Sequence, residues 1–317
     1  MSTLPWVSIG VPVYNGQAHL AETLDALLAQ TYERLEIVIC DNASTDGTAE
    51  IARQYCARDG RVRYVRNRVN IGVLPNYRRV LELASSDYFT WTAADDVRPP
   101  HAIAALMAAL QGHPDAPMAY GPVQLRVDEA IRMEVSNEMH QRGLGAAGRV
   151  RQFTRAIKHN AMLYGLYRRA AAQQIGLGPH YGVDYLACLT MCLLGPLAYT
   201  PTPMLVYRHK TGPATSFVNP MYGSTPLTLR ELFTMGGIRR KKCWSVLLVG
   251  SRYLARAQPA SLDDRVAAIA AHVVSFAGRY WRSLAREAAI LTVGAVQWLL
   301  ALPWRIGRRS RLSWSAR

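Results

Sequence analysis

Apolar residues recur along the first hundred positions in two alternating rhythms. Short β-branched runs are followed by stretches in which apolar residues return every three or four positions. Trp6–Val13 predicts a strand, closed by Asn15-Gly16. Over Gln17–Gln30, Leu20, Leu24, Leu27 and Leu28 fall at helical spacing. Leu35–Cys40 predicts a second strand, Thr45–Tyr55 a helix after a polar turn, and Val62–Val65 a third, short strand. Leu74–Ala84 reads as a helix and Tyr88–Thr92 as a fourth strand. Pro99-Pro100 then opens a helix to Leu110, proline being suited to a first helical turn. Strands that alternate with helices predict a doubly wound, mostly parallel α/β sheet. In such sheets ligands sit beyond the carboxyl ends of the strands. The polar residues at those ends are Tyr14-Asn15, Asp41-Asn42 and Asp95-Asp96.

Further along, the alternation weakens. Met118–Val127 predicts one strand, 126–151 a polar, glycine-containing mobile loop, Asp184–Leu194 a helix, and Leu197–Arg208 a strand broken by prolines. Residues 228–317 show no strand rhythm, only Ala/Leu/Val stretches punctuated by arginine pairs. The expected organisation is an α/β domain over 1–225 and a helical, basic region over 226–317.

Composition narrows the class. Half of the 317 residues are apolar, which excludes wholesale disorder. The net charge of +15 is uneven: residues 228–317 hold 16 Lys/Arg against 4 Asp/Glu, and residues 1–227 hold 21 against 18. The basicity therefore belongs to the last ninety residues. Cys40, Cys56, Cys188, Cys192 and Cys243 are scattered and odd in number, which reads as a reduced, cytoplasmic chain. Cys188 and Cys192 read as core packing. The first residues lack a basic segment and a small-residue cleavage site, so no signal peptide is expected.

The strand ends carry the chemistry. Adjacent carboxylates such as Asp95-Asp96 repel unless a cation lies between them and a partner. A hard divalent ion held by one or two carboxylates and substrate phosphates is the usual Mg²⁺ or Mn²⁺ arrangement. The doublet reads equally as acids favoured by the dipole at a helix N-terminus. Asp41, directly after the second strand, is placed to accept a base N–H, with Asn42 bridging to it; Asp46 reads as a turn or cap residue. Trp91 reads as core.

Together these segments resemble the family-two glycosyltransferases with the GT-A, Rossmann-like fold. The matching residues are VSIGVPVYNG (7–16), LLAQTYERLEIVICDNASTDGT (27–48), NIG (70–72), DYFTWTAADDVRPP (87–100) and GLYRR (165–169), followed by Asp184 and by Tyr207-Arg208-His209. The resemblance implies that Pro12, Tyr14 and Asn15 line the nucleotide pocket and that Asp41 faces the nucleobase. It implies a metal and diphosphate motif at Asp95 and Asp96, with Asp96 on the ion. Many relatives read Asp-x-Asp-Asp there, and Ala93 holds the first position. Asp184 matches the acceptor base, although Val183 stands where relatives usually carry another acid. His209 matches a metal or diphosphate contact, and also reads as a surface histidine between Arg208 and Lys210.

The implied reaction is inverting transfer of a sugar from a nucleoside-diphosphate donor, a UDP-sugar, to an acceptor hydroxyl on a glycan or lipid-linked acceptor. A cation neutralises the leaving group and a base takes the hydroxyl proton. Ala288–Trp304 is short for a spanning helix and basic on both flanks, which favours a segment lying in the membrane interface with Trp298, Trp304 and Trp314 at headgroup depth. Arg239-Arg240-Lys241-Lys242 adds a patch that anionic lipid would attract. The expected place is the cytoplasmic face of the membrane. No nucleic-acid-reading motif is found. A sugar nucleotidyltransferase and a non-catalytic nucleotide-sugar-binding protein are the competing readings.

Overall fold

The computed structural model describes residues 4–127, 130–158, 160–177, 183–208, Ser251 and 263–279. At its centre is a seven-stranded sheet of order β3-β2-β1-β4-β8-β5-β9. Val7–Val13 (β1) runs parallel to Leu35–Asp41 (β2) and to Tyr88–Trp91 (β4), and Val62–Arg66 (β3) pairs parallel with β2. Every residue of β1 is buried. A strand covered on both faces reads as a continuous apolar run rather than an alternation. The helices Leu20–Leu28 (α1), Thr48–Arg58 (α2), Val73–Glu82 (α3) and Ala102–Gln111 (α4) connect the strands, as their 3.6-residue apolar spacing predicts. Gly10 lets α3 and β4 close on β1: a Cβ there would meet Phe89 at 2.8 Å and Val80 at 3.0 Å.

The second half of the sheet is mixed. Leu166–Arg168 (β8) inserts antiparallel between β4 and Met118–Tyr120 (β5), and Ala198–Tyr199 (β9) lies parallel to β5. A smaller sheet holds Leu205–Arg208 (β10) parallel to Val123–Val127 (β6), with Ala130–Val135 (β7) antiparallel on its other side. Ala146–Ala156 (α5), a 3-10 helix at Asn160–Tyr164, Arg169–Ala172 (α6), Val183–Leu194 (α7) and a helix over 263–279 (α8) pack around the sheets.

Three expectations are corrected. The strand expected over Met118–Val127 is two strands in different sheets. Gly121 and Pro122 break it: the chain turns so tightly that a Cβ on Gly121 would lie 2.5 Å from the Thr202 carbonyl, and proline has no N–H for a ladder. The loop expected over 126–151 holds β7 and most of α5. Ala146, Val150 and Phe153 form the buried face of α5, at helical spacing among arginines that hide it in a polarity average. Leu197–Arg208 likewise divides between the two sheets.

Part of the basic C-terminal region belongs to this core. Ala268, Ala271, His272, Ser275 and Phe276 of α8 are buried. His272 and Phe276 pack against Tyr185 of α7, and Arg279 donates to the Thr154, Arg155 and Ile157 carbonyls at the end of α5 at 2.6–2.8 Å. Those carbonyls have no partner within the helix. The 225/226 boundary falls outside the described residues.

Candidate active site

The loops that follow β1, β2 and β4 meet at one edge of the sheet. The first two are locked together. The Asn15 N–H donates to Ser44 Oγ at 2.9 Å, the Thr45 N–H to Asn15 Oδ1 at 2.8 Å, and the Gly16 N–H to Thr48 Oγ1 at 2.8 Å. Asn15 has a left-handed φ of 52°, a conformation its short polar side chain tolerates. Pro12 is buried within β1, whereas Tyr14 is 47% exposed. Asp46 receives the N–H groups of Gln17 and Thr48, each at 3.0 Å, and so is the turn residue its position suggested.

Asp41 ends β2 with no exposed surface. The Ser44 N–H donates to Oδ1 at 2.8 Å, and the Tyr64 hydroxyl and Arg66 Nη1 donate to Oδ2 at 2.6 and 2.8 Å. Arg66, itself exposed, thus lies over the buried carboxylate and also holds the Ser44 carbonyl. Asn42 is equally engaged. Its amide donates to Asn70 Oδ1 at 2.7 Å and the Gly72 carbonyl at 3.2 Å, and its oxygen accepts from Asn67 Nδ2 and the Ile71 N–H. Asn67 continues to Asn76, whose amide donates to the Cys40 carbonyl. Four asparagines therefore fix the Asn70-Ile71-Gly72 turn against β2. Gly72 has φ 92°, which favours glycine.

The loop after β4 carries the acid pair. Asp95 is half-buried and Asp96 only 1% exposed. The Arg208 N–H of β10 donates to Asp96 Oδ1 at 3.1 Å, Thr23 Oγ1 donates to the Asp96 carbonyl at 2.9 Å, and a bridge joins Val97 to Val206. Behind the pair lies Arg98, also 1% exposed. Its guanidinium donates to Thr92 Oγ1, Thr90 Oγ1 and the carbonyls of Trp91, Tyr164 and Met204, all within 3.1 Å. Burial pushes the guanidinium down to about 10, with the field of Asp96 opposing the shift. It remains a cation at neutral pH.

Asp184 lies in the first turn of α7, and Tyr207 is on β10. Burial pushes this phenol up to about 12, and the carboxylates of Asp96, Asp95 and Asp184 add to the rise in that order. Tyr77 and Tyr164, whose hydroxyls are 3.3 Å apart, are raised in the same direction, first by burial and then partly by Asp96. At the rim, Glu22 of α1 holds Arg126 on one oxygen and Arg208 on the other. Trp91 is core, in edge contact with Phe89 and Tyr167. His209 and the segments 239–242 and 288–304 lie outside the described residues.

The sequence reading missed Arg98, the Glu22 clamp, Tyr64 with Arg66, and the asparagine network. Tyr64 and Arg66 were signalled by their alternation on β3 opposite Ile39 and Asp41. Arg98 had no local signal, since its acceptors lie as far away as residue 204.

Comparisons with known proteins fit this geometry. A sequence profile described as glycosyl transferase family 2 matches residues 8–176. EpsE of Bacillus subtilis (strain 168) is 34% identical over 114 residues, which cover 36% of this chain and 41% of that protein. The chain thus spans less than half of that relative's length. Among solved structures, S. aureus TarS residues 1–349 in complex with UDP-GlcNAc superposes with a TM-score of 0.60 at 15% identity, covering 86% of this chain and 73% of that one. The mannosyltransferase PcManGT from Pyrobaculum calidifontis, in complex with GDP-Man and Mn²⁺, gives a TM-score of 0.50 at 18% identity, covering 96% and 83%. The likeness to these structures establishes the GT-A fold.

Proposed function

The chain belongs to glycosyl transferase family 2, and on that premise we propose that it moves a sugar from a UDP-sugar to an acceptor hydroxyl with inversion at the anomeric carbon. One observation carries the reading: the loops after β1, β2 and β4 meet at one sheet edge, and the acid pair Asp95-Asp96 stands there with Asp96 anchored by the Arg208 N–H of β10. An acid pair for the diphosphate side and a separate acid for the acceptor are what direct displacement requires.

In this reading Asp184 takes the proton from the acceptor hydroxyl. Tyr14 and Asn15 border the nucleotide, with Pro12 beneath them. Asp41 and Asn42 shape the base site from below, the first by fixing Tyr64 and Arg66 and the second by fixing the Asn70–Gly72 turn. Tyr207 stays protonated at assay pH.

The acid pair suits a hard divalent ion, Mn²⁺ or Mg²⁺. Its donors are all oxygen, and an ion held by one or two carboxylates completes its shell with water and substrate phosphates. No group of three or more His, Cys, Asp or Glu side chains stands ready among the described residues, so the phosphates must supply the remainder. Asp95, the more accessible, and Asp96, anchored by Arg208, would hold the ion, with His209 as a further ligand. When bound it would neutralise charge on the departing nucleoside diphosphate. PcManGT, solved with GDP-Man and Mn²⁺, supports this.

The reading extends to location. The +12 balance of residues 228–317 (16 minus 4) favours peripheral attachment to an anionic cytoplasmic membrane surface, where a glycan or lipid-linked acceptor is reached. Among the described residues no helix is long and apolar enough to cross a membrane.

Incubating the full chain with a panel of UDP-sugars, GDP-mannose and Mn²⁺ tests the reaction. Release of nucleoside diphosphate is expected, lost in EDTA and restored by Mn²⁺. In a parallel incubation with nucleoside triphosphate and sugar 1-phosphate, release of pyrophosphate would make the protein a nucleotidyltransferase, and no release in either incubation would make it a binding protein.

A further inference from the structure

Helix α1 reaches the acid pair from two adjacent residues. Its buried stripe is Leu20, Thr23, Leu24 and Leu27, with a threonine where an aliphatic side chain would continue the pattern. A threonine inside a helix ordinarily turns its hydroxyl to a carbonyl one turn back. Thr23 instead donates to the Asp96 carbonyl, 2.9 Å away and 73 positions along the chain. Glu22, its neighbour, accepts from Arg126 of β6 and Arg208 of β10, which lie 104 and 186 positions away.

The two arginines are register partners on adjacent parallel strands. Their side chains are only 18% and 14% exposed, so water and salt screen them little. Like charges directly opposite one another on neighbouring strands are destabilising. Glu22 supplies the anion that both guanidiniums need. Burial works to raise its carboxyl, but the Arg126 hydrogen bond and the charges of Arg208, Arg126 and His19 outweigh it and hold the group below its ordinary value. Glu22 is therefore ionised at neutral pH.

This pairing matters to the cleft because of what β10 does there. The Arg208 N–H donates to Asp96 Oδ1 at 3.1 Å, Arg208 Nε lies 3.4 Å from the Asp95 carbonyl, and the Val97–Val206 bridge ties the next residue to the same strand. We propose that Glu22 is a positioning residue for the acid pair: by neutralising Arg126 and Arg208 it seats β10 beside β6, and the seated β10 fixes Asp95 and Asp96 where the donor's cation and diphosphate are taken up. The proposal rests on the transferase reading given above, and on the fit of the acid pair to a divalent ion. Thr23 holds the Asp96 backbone from the same helix, so α1 grips both partners of the Arg208–Asp96 contact.

The test compares the full chain, Glu22→Gln and the double variant Glu22→Gln/Arg126→Gln by calorimetric binding of UDP, in Mn²⁺ and in EDTA. Glu22→Gln keeps the size and an acceptor oxygen but leaves two facing cations without an anion. The gain in UDP affinity that Mn²⁺ confers should shrink about tenfold in this variant, while UDP affinity in EDTA stays as in the wild type. The double variant should recover most of the gain, because a single arginine has no like charge to avoid. A wild-type gain in Glu22→Gln overturns the proposal. So does a double variant no better than the single one, or a fall in the thermal midpoint of Glu22→Gln that Arg126→Gln does not relieve, since either would make Glu22 a packing residue only. If the wild type binds UDP equally with and without Mn²⁺, the metal reading fails and the proposal with it. If it binds no UDP at all, the UDP-donor reading fails too.

Discussion

Asp41 and Asp96 end neighbouring regions of one sheet, and both are buried carboxylates, yet they are held in opposite ways. Asp41 receives donors from Ser44, Tyr64 and Arg66, all within 25 positions of it. Asp96 is fixed by the Arg208 N–H 112 positions away, and Arg98 behind it reaches the Met204 carbonyl 106 positions away. The first region closes on itself, unit by unit. The acid pair is anchored only when β10 folds back onto the first four strands. Damage to the first region should therefore weaken nucleotide binding, and damage to the second should uncouple chemistry from binding.

The largest effect expected is at Asp184, the proposed base. Asp184→Asn should lower transfer by about 10²–10⁴-fold, the range for a lost general base, while calorimetric binding of the nucleotide sugar stays within error. A variant that transfers sugar at near wild-type rate would remove Asp184 from that role. Next comes Arg98→Met, which strips the donor from three buried carbonyls and two hydroxyls. Each unsatisfied group costs roughly 1–3 kcal/mol, so a total on the order of 3 kcal/mol or more is expected in urea unfolding. Arg98→Lys should recover only part, because an ammonium cannot reproduce the fork. An unchanged unfolding midpoint for Arg98→Met would show that these carbonyls and hydroxyls are satisfied by other donors.

Asn42→Ala probes the local region. It should cost about 1–3 kcal/mol by leaving Asn67 and the Ile71 N–H short of an acceptor. It should also weaken nucleotide binding, with turnover of bound donor nearly intact. A loss of turnover with unchanged binding would contradict the division drawn here. The smallest effect belongs to Ala43, which sits at φ 62° between Asn42 and Ser44. Ala43→Gly should stabilise by about 0.5 kcal/mol, the relief of a left-handed alanine less the added freedom of the unfolded glycine. Thermal unfolding reads this directly, and a destabilised variant would argue against strain at the turn.

The same contrast explains what could be read in the chain beforehand. β1 to α4 were legible because each strand and helix repeats a local rhythm and each loop has its polar residues at the strand end. The second half was not. β8 is a three-residue strand between a 3-10 helix at Asn160–Tyr164 and α6, too short to show a period. α5 carries its apolar residues among arginines, and the division of 118–127 depends on Gly121 meeting Thr202 across the fold. In the cleft, the acids were visible as a doublet and a matched position, but their supports were not. Arg98 is chemically unremarkable in sequence, and only burial reveals what it holds.

The reach of Arg279 has a consequence for the order in which the protein matures. It completes the end of α5 from 122 to 125 positions downstream. During synthesis the first four strands can assemble as soon as they leave the ribosome, whereas α5 waits with bare carbonyls until α8 has been made. A translating ribosome would thus carry the first four strands well before the residues that complete α5. Interrupted synthesis before α8 would release a chain whose α5 end still lacks the donors that Arg279 supplies.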